Sequence, residues 1–315
     1  MSNQLGVHIF YQSKSLNYEE EIISFSLLSA ISWKKHMGPI ILYCNKTYLE
    51  TIKKYNVDSI YDDINSDFLE DLPNGINYGD FWAFYKLLVA KKIQNLTPFT
   101  ILDTDLWLNA PLIINQKLDV MMYHNEKFDI NYPNNPYPDF DQFLPDNIKE
   151  MKLDKEVLPT NCAILHIRNN SFINKWVDLS TQIALHSSKI EFPELNTSSK
   201  MCFIEQRLLP MVLKKENLNW DTFLYTSYLT HIHSSEDGSE WEPNPFTIPE
   251  ADKTIFENIK HVWGLKSLFS NSKLKFLFMR LVMEHFQNHD MENKPYSDFF
   301  HSLKKRYVRS FQYTP

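Results

Sequence analysis

An α/β fold, a mostly parallel central sheet flanked by helices and continued into a helical C-terminal extension, is predicted by three features of the sequence. At 315 residues the chain is long enough for one large α/β domain that buries most of its apolar surface. Over the first 125 residues, short β-type runs alternate with helix-type runs, the pattern of βαβ units. Beyond His261 only helical periodicity is left. The expected division is a catalytic domain over 1–265 and a helical extension over 266–315.

Each element has its own signal. GVHIFY (6–11) reads as a first strand, and Tyr18 to His36, with Ile22, Ile23, Phe25, Leu27, Leu28, Ile31 and Trp33, as a helix. PIILYC (39–44) is a second strand, Asn45 a cap for a helix reaching Tyr55, and DSIYDD (58–63) a short third strand. Asp80 is a candidate cap for FWAFYKLLVAKKIQ, where Phe81, Phe84, Leu87 and Leu88 recur at helical spacing. FTIL (99–102) and DVMMYH (119–124) follow as strands. The polar stretch from Asn125 to about Pro159 is expected to be a binding loop or lid. TNCAILHI (160–167) returns to β character, helices are expected at about 171–186 and 200–215, and FLYTSYLTHIH (223–233) as a late strand. SSEDGSEWEPNPF (234–246) is a second loop.

Composition narrows the function. A net charge of -7 argues against a general nucleic-acid binder. From His261 onward, however, nine basic residues stand against four acidic ones. Cys44, Cys162 and Cys202 lack the spacing of a zinc site or disulfide framework and read as small buried hydrophobes of a reducing compartment. The opening MSNQLGVHIF has no signal-peptide pattern, and no stretch reaches the roughly 20 apolar residues of a membrane span, so a cytoplasmic setting is expected. The aromatic content, 14%, suits either a large core or a surface that stacks on sugar or base rings.

The sequence FTILDTDLWL places the chemistry. Residues two apart on an extended backbone point the same way, so Asp103 and Asp105 present their carboxylates together at the carboxyl end of a strand. Open α/β sheets bind ligands at that edge. Like charges so close repel unless something positive lies between them. A metal ion, a basic side chain or plain solvent can each answer, and the apolar runs on both sides favour the metal. Hard oxygen ligands select Mg²⁺ or Mn²⁺, which keep positions open for phosphate oxygens. With only 6 Gly there is no Gly-rich phosphate loop, so any phosphate must be held by metal and side chains.

Asp-x-Asp after an apolar strand and a preceding helix resembles the nucleotide-sugar glycosyltransferases of the GT-A fold. Four further pieces are similar to glycosyltransferase family 8 and its relatives. FYKLL (84–88) puts Lys86 where those enzymes carry a basic residue that reaches the donor. TNCAILHI matches their Asn-x-Gly strand at Asn161, with Ala163 replacing the glycine. IEQRLL (204–209) aligns Glu205 and Gln206 with their acidic-Gln pair. HVWGLK (261–266) is similar to their His-x-x-Gly-x-x-Lys motif through His261, Gly264 and Lys266, the lysine arriving one residue early. The last 50 residues match none of this pattern.

The resemblance implies a metal-dependent enzyme that moves a hexose from a nucleoside-diphosphate sugar, UDP-linked, to a carbohydrate or glycan acceptor with retention. Asp103, Asp105 and His261 would hold Mn²⁺ or Mg²⁺; Lys86, Gly264 and Lys266 would grip the donor; Asn161, Glu205 and Gln206 would serve catalysis. Tyr11, at the end of the first strand, could stack on the nucleobase, and Trp241, in the second loop, on the acceptor sugar. Two rivals stay open: a haloacid dehalogenase-type phosphatase with the first Asp as nucleophile, and a carbohydrate-binding protein without transferase activity. In the tail, LKFLFMRLVMEHF and SDFFHSLKKRYVRSF combine helix-spaced apolar residues with Lys304, Lys305, Arg306 and Arg309. They would pack on the catalytic domain or rest weakly on an anionic membrane beside a lipid-linked acceptor.

Overall fold

The computed structural model describes residues 4–12, 18–67, 72–79, 81, 83–125, 144–154, 156–189, 200, 202–224, 258–261, 272–287, 289–292 and 294–308. Their strands form a seven-stranded, mostly parallel sheet in the order β3-β2-β1-β4-β7-β6-β8, and a second sheet of two strands, β5 and β9. This is the mixed α/β architecture expected. The chain divides into two compact units. One comprises Met1–Asp67, Asp103–Leu112 and Tyr228–Pro315, the other Phe68–Leu102 and Ile113–Ser227.

The first unit opens with β1 (Leu5–Phe10), α1 (Glu19–His36), β2 (Ile40–Cys44), α2 (Lys46–Lys53) and β3 (Asp63–Asn65). β1, β2 and β3 are parallel neighbours. Helix α1 carries Glu19, Glu20 and Glu21 in its first turn and Lys34, Lys35 and His36 in its last, the charge order its dipole favours. Gly6 in β1 has a packing reason: a Cβ there would overlap the Trp33 indole, whose N–H bonds the Pro39 carbonyl at 3.1 Å. Asn45 does cap α2, accepting from the Tyr48 N–H at 3.3 Å. DSIYDD is a partial correction. Val57–Ile60 is a 3-10 turn, entered through Asn56 in the left-handed region at φ 55°. Asp62 then ties Lys34 and the Ile40 N–H, and the strand starts only at Asp63, five residues later than expected.

The same unit holds β5 (Leu106–Leu108), β9 (Ile259–His261) and two C-terminal helices, α7 (Ser272–Phe286) and α8 (Ser297–Tyr307). Both helices pack within it. Tyr307 of α8 donates to the buried Glu21 carboxylate of α1, Lys275 of α7 lies 3.3 Å from the same acid, and Arg306 pairs with Glu20 at 2.7 Å.

The second unit contains α3 (Phe84–Lys92), β4 (Phe99–Leu102), β6 (Val120–Asn125), α4 (Asp146–Lys149), β7 (Thr160–Ile167), α5 (Ile173–Ser187), α6 (Leu208–Lys215) and β8 (Trp220–Leu224). β7 runs antiparallel to both β4 and β6, while β6 and β8 are parallel. Three elements differ from expectation. The helix before the aspartates begins at Phe84, because Phe81 and Phe84 first close a turn through Asn77 and Phe81; Asp80 lies outside the described residues. The helix expected over 200–215 is broken by a π turn at Phe203–Arg207. Pro210 has no N–H to offer the Gln206 carbonyl and its ring crowds that oxygen, so regular α geometry cannot run through. The late strand starts earlier than expected and is described only to Leu224.

Much of the aromatic surplus is core: Trp33, Trp107, Tyr48 and Phe25 in the first unit, and Trp176, Tyr123, Phe84, Phe99 and Phe172 in the second, are fully buried. The three cysteines are buried thiols. Among the described residues no helix is long and apolar enough to cross a membrane.

Candidate metal centre

Asp103 and Asp105 leave β4 on a turn that ends at β5, and the reason His261 joins them is the small second sheet. β5 and β9 are antiparallel with Leu106 opposite His261, Trp107 opposite Lys260 and Leu108 opposite Ile259. A further bond, from the Asn109 N–H to the Asn258 carbonyl at 2.7 Å, extends the ladder. Because Leu106 is the neighbour of Asp105, this register brings the His261 ring to the carboxylate, with Nε2 3.6 Å from Oδ1. One ligand atom from each of Asp103, Asp105 and His261 lies within 4.8 Å of the others.

This donor set fits a divalent cation. Ligand atoms bonded at about 2.1 Å to one ion stand about 3 to 4.2 Å apart, so a small side-chain adjustment closes the cluster around it. Two ionised carboxylates with oxygens no more than 4.8 Å apart repel by at least roughly 3.5 kcal/mol at an effective dielectric of about 20, an energy a divalent ion between them reverses. Asp105 and His261 are buried and Asp103 is half-buried, so the cluster has a dry side and an accessible one. The Asp-Asp-His cluster could therefore bind a metal ion.

Behind Asp105 lies a residue the sequence did not single out. His8 of β1 is fully buried, with Nδ1 3.0 Å from the Tyr61 hydroxyl and Nε2 2.9 Å from Ser29 Oγ. Burial pulls its pKa down to about 3, against the opposing pull of the Asp105 charge, so the ring is neutral at physiological pH. The signal available was a single polar residue inside the apolar run GVHIF. Tyr11, the expected base platform, is exposed just past β1. Its neighbour Gln12 is tied at both backbone groups to the Asn45 side chain, at 3.0 and 2.7 Å, so Asn45 both caps α2 and holds the chain leaving β1.

The second unit gathers another set of expected residues. Lys86 of α3 and Glu205 of the π turn form an ion pair whose side chains are only 8% and 3% exposed. The ammonium also donates to the Cys162 carbonyl of β7 at 2.9 Å. Asn161, one residue earlier, accepts from the Ala163 N–H at 2.8 Å. The π turn is held from the other side too: the Ile204 carbonyl accepts from Trp176 Nε1 at 2.9 Å and Ser180 Oγ at 3.4 Å, and Arg207 donates to the Val157 carbonyl. Gln206 is the half-exposed member of an otherwise buried turn. π turns recur at functional sites. Lys86 and Glu205, expected to have separate tasks, thus face one another. Gly264, Lys266 and Trp241, and the second loop, lie outside the described residues, as does most of the first loop.

No family model matches the sequence, glycosyltransferase family 8 included, and no curated protein matches it. Among solved structures the chain is similar to one titled "PaToxG Glycosyltransferase", at 12% identity and a TM-score of 0.39, over 68% of this chain and 70% of that one.

Proposed function

We propose that the protein is a metal-dependent glycosyltransferase that moves a hexose from a nucleoside-diphosphate sugar, UDP-linked, to a carbohydrate or lipid-linked glycan acceptor. The observation that carries this reading is the Asp103–Asp105–His261 cluster, two carboxylates and an imidazole brought together directly after an apolar strand of a mostly parallel sheet. A bound Mn²⁺ or Mg²⁺ would accept diphosphate oxygens and stabilise the leaving group as a Lewis acid. In transfer the bond from the anomeric carbon to the diphosphate breaks, a bond to the acceptor oxygen forms, and the proton of the acceptor hydroxyl passes to the departing diphosphate.

The chain's own residues have distinct tasks in this reading. Asp103 and Asp105 hold the cation, and His261 completes its ligand set. Lys266 and Gly264 approach the diphosphate, and Tyr11 stacks on the base. Asn161 and Gln206 contact the reacting sugar, and Lys86 pairs with Glu205 beside them. Trp241 supports the acceptor. The resemblance in residue pattern favours retention, and an inverted linkage seen by NMR of the product would overturn that part alone.

The test is release of nucleoside diphosphate from a panel of nucleotide sugars with and without Mn²⁺. Slow, metal-dependent hydrolysis of one UDP-sugar, lost in Asp105→Asn, is expected. A chain that releases no diphosphate from any donor, and whose melting temperature no nucleotide raises in the presence of metal, is not this enzyme.

A further inference from the structure

The metal cluster depends on where β5 lies, and β5 is three residues long. So short a strand cannot hold its own position; its neighbours must. On one edge stands β9, itself three residues long. The Trp107 indole, buried, meets the His285 ring of α7 edge-on at 5.0 Å between centroids. A hydrogen bond from α1, which also packs on β5, adds a further tie. The Leu108 N–H donates to Ser32 Oγ at 3.0 Å, and the same hydroxyl donates to the Ser29 carbonyl at 2.8 Å. Ser32 is fully buried, so no water can replace it as acceptor for that backbone group.

Ser32 is one of four buried serines on α1, and its partners set it apart. Ser24 bonds the Glu21 carbonyl of its own helix, Ser26 accepts from the Tyr48 hydroxyl of α2, and Ser29 meets His8 of β1. Only the Ser32 bond reaches the strand that begins where Asp105 ends, opposite the strand that ends at His261. Loss of that bond frees β5 to move, and with it the separation of Asp105 and His261.

We propose that Ser32 is a positioning residue for the metal centre: by anchoring the Leu108 N–H it fixes β5, and through the β5–β9 register it holds His261 against Asp105. The inference rests on the metal-binding reading of that cluster. Side chains that orient ligands from behind commonly change metal affinity 10- to 100-fold, and a contact one step further back, through a strand, should give about three- to tenfold.

The experiment is calorimetric titration with MnCl₂ of the wild-type chain and three variants. Wild type should bind one Mn²⁺ and Asp105→Asn none. Ser32→Ala should weaken the dissociation constant about three- to tenfold. Ser26→Ala removes a comparable buried bond of the same helix, to Tyr48, and should leave the constant unchanged. If Ser32→Ala does not fold, Ser32→Cys, close in shape with a weaker acceptor, makes the same comparison. An Asp105-dependent site whose affinity is the same in the Ser32 variant as in wild type, or falls equally in Ser26→Ala, overturns the positioning role alone. A wild-type chain with no Asp105-dependent binding overturns the metal reading and this inference together.

Discussion

Replacing Asp103 or Asp105 by asparagine keeps shape and removes the charge that a cation needs, so each change should abolish turnover. Because the change is isosteric, the melting temperature should stay near the wild-type value; near-normal transfer in either variant would show the site misassigned. A second residue-scale prediction concerns pH. His166 of β7 is buried against the Thr100 hydroxyl at 2.8 Å, and burial, aided by Arg168, pulls its pKa from 6.5 to about 4. Its folded form is therefore neutral where the unfolded chain is protonated. That stability is complete above pH 6.5 and is lost as pH falls toward 4. The slope is about 1.4 kcal/mol per pH unit for such a group, so His166→Asn should flatten the acid side of a urea-denaturation series by about that much between about pH 6 and 5. The aspartates were legible because two like charges two residues apart beside apolar runs need an explanation. His8 and His166 were not, since one polar residue in a strand carries no sign of its partner.

At the scale of elements, the Lys86–Glu205 pair ties α3, β7 and the π turn together. Removing one member of a buried ion pair strands the other's charge, so Lys86→Met alone should cost about 3–5 kcal/mol of stability. The double change Lys86→Met with Glu205→Leu should recover most of it, because two apolar groups leave no charge unsatisfied. Denaturant unfolding of the three chains checks this; a double variant no better than the single would mean the pair is not the local contact that matters. Most helices and strands were readable from periodicity, and the Asn45 cap from its chemistry. The π turn was not, because IEQRLL has ordinary helical spacing and the widening follows from Pro210 and from donors on α5. The β5–β9 ladder was not, because pairing of two three-residue strands far apart in the chain leaves no local pattern.

For the molecule as a whole, the basic C-terminal helices spend part of their charge internally. Lys275 and Arg306 serve Glu21 and Glu20, and Phe276 and Tyr307 pack ring to ring. Each basic residue near an anionic membrane contributes only about 1 kcal/mol, and screening reduces it further. We therefore expect at most weak flotation with anionic liposomes at low salt, reversed by moderate salt. Attachment that survives high salt would mean that apolar faces of these helices enter lipid. Alone, the sequence determined the α/β class, the strand followed by two aspartates, and the lack of glycines for a phosphate loop, all set by residues close together in the chain. The motif resemblance grouped His261 with the two aspartates, and tertiary structure supplied the β5–β9 register that sets it beside Asp105; tertiary structure alone decided that Lys86 pairs with Glu205 in a buried turn and that the Leu108 N–H meets Ser32. Those pairings join residues far apart in sequence, and such a contact is chosen by the packing of the whole fold, which no local pattern records.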